Sequence, residues 1–133
     1  MGWFQKNRRP EVWEVAGDRP LGDIEAAHKI REICAAASSS AENIAAFDNH
    51  TRAKKRLAET ERYQAARKRA LELAMRISDD SMRDVSVSQI MALCGKANDL
   101  KTARILLRAI QSKITQAELI AGNPALVNRE AAN

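Results

Sequence analysis

Glu25, His28 and Glu32 fall at steps of three and four residues, so on a helix they share one side. A carboxylate and an imidazole at Glu-x-x-His spacing are the ligand pattern of carboxylate-bridged di-iron sites, which use it twice and add glutamates from two further helices. The chain has two histidines, His28 and His50, so a second copy is missing. The three side chains then read as an exposed polar face with charge pairs one turn apart. Cys34 and Cys94 are too few and too widely spaced for a disulfide framework or a zinc knuckle. Each falls on an apolar helix side, where a free thiol acts as a small hydrophobe. No Gly-rich phosphate loop, nucleophile elbow or HExxH is present. The expectation is a protein that is not an enzyme and uses no metal or cofactor.

Charge is the next feature that could act. The chain carries a net charge of +5, but eight Lys or Arg against two Glu lie between Arg52 and Arg69, so that segment holds the basic character. Within it and just beyond, Lys55, Arg62, Arg69 and Arg76 recur every seven residues. On a helix they drift only about 20° per step and form a row with spacings of about 10.5 Å. Such a row can follow a phosphate backbone without reading sequence. It can equally flank a helix–helix seam. Arg52, Lys54, Arg56, Arg67 and Lys68 ring the other sides, and Tyr63 is the segment's one aromatic residue, so no face is reserved for a polyanion.

Trp3, Phe4 and Trp13 are three of five aromatic residues in the chain, and all lie in residues 1–22, where Pro10, Gly17, Pro20 and Gly22 interrupt helical periodicity. This non-helical aromatic arm either caps the core or docks a partner, since indole concentrates binding energy at recognition surfaces. On the second reading Trp3, Phe4 and Trp13 are the partner-binding residues.

The elements that must position these groups are helical. The 133 residues are 45% apolar but only 4% aromatic, with five Gly and three Pro, and alanine dominates. That composition suits closely packed helices and disfavours a sheet. No run of about 18 uncharged apolar residues exists, and the N-terminus lacks a secretory apolar core, so a membrane span is not expected and a reducing cytoplasm is the default.

In order, the pattern predicts a helix from Asp23 to about Ala37 with Ala27, Ile30, Ile33, Cys34 and Ala37 inward, ended by Ser38, Ser39 and Ser40. A long second helix is expected over Ala41–Ile77, about 55 Å at 1.5 Å per residue, with Tyr63, Ala66, Ala70, Leu73, Ala74 and Ile77 as its clean stripe. Its middle should project or pair with a second copy, which predicts a homo-oligomer or a larger protein assembly. After a turn at 78–81, Ser86 and Gln89 have capping-box spacing for a short helix with Val87, Ile90, Met91 and Cys94 inward. Asp99–Ala121 is the strongest helical pattern, with Leu100, Ala103, Leu107, Ile110, Ile114, Ala117 and Ala121 on one side and Asn98 or Asp99 as cap.

The hairpin over Val87–Ile110, through IMALCGKANDLKTARILL, resembles one pentatricopeptide-type repeat. Such arrays take about three units to be stable, and no second copy is found, so the resemblance implies a helical hairpin and nothing further. The sequence therefore predicts an all-α, four-helix domain over 23–122 with a C-terminal hairpin and a flexible tail over 123–133. The expected function is a non-enzymatic interaction or assembly protein acting through the aromatic arm and the long helix. The alternative is a nucleic-acid-binding protein using the basic 52–76 segment.

Overall fold

The computed structural model describes residues 11–14 and 21–127. The chain is all-α, with no strand among the described residues: a short 3-10 turn at Val12–Glu14 precedes α1 (Asp23–Ala45), α2 (Ala53–Ala74), α3 (Asp80–Lys96), α4 (Leu100–Ala109) and α5 (Lys113–Gly122). No helix among these residues is long and apolar enough to cross a membrane. Trp3 and Phe4 lie outside the described residues.

The four-helix layout needs correction at three places. Ser38–Ser40 do not end the first helix, because tertiary partners satisfy the serine that would otherwise compete with the backbone. Ser40 is fully buried, its hydroxyl donates to Glu59 Oε1 at 3.0 Å and it accepts Arg62 Nη1 at 2.9 Å. The chain turns instead at residues 46–52, so there is no 55 Å helix. There Asp48 Oδ1 accepts the His50 N–H at 2.8 Å, the Asp48 N–H donates to Thr51 Oγ1 at 3.0 Å, and Arg56 donates to the Thr51 and Asp48 carbonyls. Arg56 also lies over the Phe47 ring at 5.6 Å. Two short polar side chains turning back on their own backbone make a stop that periodicity does not register.

The second correction is the start of α3, six residues before the Ser86–Gln89 pair. Asp79 is its N-cap and accepts the Met82 N–H at 2.8 Å. The helix runs past Gly95 and stops at Asn98, whose φ of 61° is the left-handed conformation of a Schellman turn. Asp99 N–H donates to the Cys94 carbonyl at 2.8 Å, and Asn98 N–H to that of Gly95 at 3.0 Å.

The third correction is the Asp99–Ala121 helix, which is two helices. Asp84, only 5% exposed, accepts the N–H groups of Gln111 and Ser112 at 2.9 Å each, and Ser112 caps α5 by accepting the Thr115 N–H at 3.1 Å. The Gln116 amide donates to the carbonyls of Leu107 and Ile110 at 3.0 Å each. Beyond this break the predicted stripe turns outward, with Ile114 exposed, while Leu119 and Ile120 rest on the core.

The core joins Ile30, Ile33 and Ala37 of α1 to Ala66, Ala70 and Leu73 of α2, and to Val87, Ile90 and Cys94 of α3. The predicted α2 stripe from Tyr63 to Ile77 is buried throughout, and so is the predicted inner side of α3. Alanines on facing helices let the axes approach closely, so α1 packs against both α2 and α3. In the first helix Ala26 is buried where Ala27 and Cys34 are only partly covered, a small rotation of the predicted stripe. Leu126, in the stretch expected to be a tail, is 5% exposed, and Arg104 holds that segment by donating to the Ala125 carbonyl at 2.9 Å.

Candidate protein-interaction groove

Asp23 does not cap its own helix. Its carboxylate accepts the Ser78 and Asp79 backbone N–H groups at 3.0 Å and the Ser78 hydroxyl at 2.9 Å, so it fastens the start of α1 to the start of α3. Those backbone donors hold its pKa below the ordinary carboxylate value. At the other end Lys96 Nζ donates to Ser38 Oγ at 2.7 Å. The two helices therefore run side by side in the same direction, and their outer sides leave a groove.

The groove holds two hollows. One of about 460 Å³ is lined by Ile24, Ala27, His28, Met82, Val85 and Ser86, among others. The next, about 440 Å³, is bounded by Cys34, Ser38, Ala92 and Lys96. Arg31 and Gln89 line both, which places them at mid-groove. On the opposite flank of α3 a third hollow of about 500 Å³ lies against Ser112 and Thr115 at the start of α5. Val85, Gln89 and Ala92, spaced by four and three residues, thus form a ridge between depressions.

This surface is apolar where a folded chain normally spends polar residues. Ile24 is 75% exposed and Val85 56%, and they face one hollow. Two polar atoms beside them are buried without a hydrogen-bond partner among the described residues: Ser86 Oγ, in a residue only 1% exposed, and Gln89 Oε1. A buried orphan oxygen is rare because its desolvation goes uncompensated. Burial pushes the Cys34 thiol up to about 11, and burial raises that of Cys94 too, so neither is a ready nucleophile.

The sequence-selected residues are dispersed. Trp13 is 8% exposed and seated on the core, with the Arg62 guanidinium 5.5 Å over its ring. Arg62 donates to both Glu11 oxygens, at 2.7 and 3.2 Å, as well as to Ser40. It is a clasp holding residues 11–14 against the α1–α2 pair. Arg69 pairs with Glu72 at 3.3 Å. Lys55 and Arg76 are exposed, so the four residues do not make one free row. Of the surrounding cations, Arg56 closes the 46–52 turn and Arg67 binds Asp99 at 2.7 Å, while Arg52, Lys54 and Lys68 are exposed. Glu25 bonds the Gly22 N–H, Glu32 pairs with Lys29 at 3.7 Å, and only His28 of that trio lines the groove. Among the described residues no group of three His, Cys, Asp or Glu side chains could hold a metal ion.

One polar cluster joins Tyr63, Arg67 and Asp99. Tyr63 Oη donates to Asp99 Oδ2 at 2.6 Å, Arg67 meets the same oxygen, and the guanidinium lies 5.2 Å over the tyrosine ring. Burial, then the Asp99 hydrogen bond, raise the Tyr63 pKa. Burial would also raise that of Asp99, but its bonds from Tyr63, Thr102 and Arg67 outweigh this and hold it low. Tyr63 is 4% exposed, and the cluster locks α2 to the N-cap of α4.

Nothing in the sequence marks the groove beyond Ile24 and Val85 standing off the buried stripes of their helices. Isolated exposed apolar residues are common; their meeting across two helices is what distinguishes these. Compared with known proteins, the chain matches no family model, no curated protein and no solved structure.

Proposed function

We propose that this is a non-enzymatic helical interaction protein, an adaptor or assembly subunit, whose binding surface is the α1/α3 groove. The observation that carries the reading is the meeting of exposed Ile24 and Val85 from two helices along one groove. A partner that covers Ile24 and Val85 gains apolar burial at about 25 cal/mol per Å². The surface differs from the one expected from sequence, since Trp13 serves the core and the long helix that was to project is a hairpin.

The test is capture from a native extract treated with nuclease, comparing the native chain with Val85→Arg. The reading expects a defined protein retained by the native chain and lost with the variant, whose fold is checked by circular dichroism. Retention that disappears with nuclease alone, and not with Val85→Arg, would move the function to the basic residues of α2.

A further inference from the structure

The groove's shape and charge narrow its occupant, on the reading that the groove is a protein-binding surface. We infer that it takes one amphipathic α-helix of about four turns, with apolar side chains along one stripe and an acidic side chain opposite Arg31.

Length comes first. From Ile24 to Ser38 the α1 wall rises for about 21 Å at 1.5 Å per residue, four helical turns. Secondary structure follows from the walls. Both are helices whose main-chain donors and acceptors bond internally, so an extended peptide finds no strand edge to extend, whereas a helix brings its backbone already satisfied. Val85, Gln89 and Ala92, four and three residues apart, form a ridge of the kind that packs into the groove between side chains of a third helix.

Charge sets the sign. Arg31 stands at mid-groove, exposed, with no ion-pair partner among the described residues, and Lys96 closes one end on a neutral serine. The acid on the wall, Asp79, is already committed to the Met82 N–H. A carboxylate facing Arg31 therefore meets a cation with nothing competing for it, and a lysine there meets repulsion. The same position disfavours a second copy of this chain. A two-fold interface centred on the groove would set Arg31 against its own symmetry mate.

The experiment selects a displayed library of 16-residue amphipathic helices, varied among Glu, Lys and Gln on the flank of a Leu/Met stripe, on the full-length protein. The expected result is enrichment of Glu over Lys at one flank position. Binding of the selected peptides should weaken about tenfold or more with Val85→Arg or with Ala92→Arg. Arg31→Glu should reverse the preference, selecting Lys. Loss with Val85→Arg but no charge preference and no effect of Arg31→Glu would overturn the acidic-helix inference while leaving the groove as binding surface. Peptides insensitive to both Val85→Arg and Ala92→Arg, or no enrichment at all, would overturn both. A dimer in sedimentation that Val85→Arg dissociates would overturn the inference in favour of a second copy.

Discussion

The Tyr63 hydroxyl and the Asp99 carboxylate meet at 2.6 Å, joining the middle of α2 to the residue that caps α4 through its other oxygen, which accepts the Thr102 N–H at 3.2 Å. One residue thus ends the Schellman turn with its backbone N–H, and with its carboxylate starts the next helix and closes the hairpin onto the core. Tyr63→Phe keeps the ring and removes the donor, leaving Asp99 with Arg67 and Thr102. The expected cost is about 1–2 kcal/mol in the urea unfolding free energy, with helical content unchanged. A neutral effect would mean that the cluster is incidental.

Asp23 and Asp99 both have pKa values held below the ordinary 3.8, so the native state resists their protonation. Their contribution is present in full above the unfolded value and is lost as pH falls through the folded one. Urea midpoints are expected to be flat above about pH 5 and to drop below about pH 4. Asp99→Asn should start lower and show a shallower acid slope than the native chain. Parallel curves would contradict the assignment.

Trp13 is expected to behave as core. Trp13→Ala removes a buried indole and the face on which Arg62 rests, at a cost of about 2–4 kcal/mol. Thermal unfolding should shift down while groove-dependent capture persists. Unchanged stability with lost capture would instead make Trp13 a docking residue.

How much of this was legible in sequence depended on whether the cause was local. The α2 stripe from Tyr63 to Ile77 and the inner face of α3 follow from 3.6-residue periodicity, and both are buried. The cap was legible locally as Asn98 or Asp99, and it is Asp99. The break at Gln111 and Ser112 was not, because it depends on Asp84, 27 and 28 positions away, accepting two backbone N–H groups that a continuous helix would have paired internally. Ser40 erred in the opposite direction. Its type argues for a break, and Arg62 and Glu59 bonding it from the next helix overrule that. Arg62 stands out in sequence by its seven-residue spacing from Lys55 and Arg69, yet its role as a clasp on Glu11 is visible only once the chain has folded back. The groove was illegible because it belongs to no single helix.

The central claim is that the α1/α3 groove is a protein-binding surface, and a photo-crosslinking side chain placed at Val85 tests it most directly. The comparison is the same side chain at Lys54, exposed on α2. Irradiation in the protein's native cells is expected to give one discrete protein adduct from position 85 and none from position 54. No adduct at 85, or the same adducts from both positions, would contradict it.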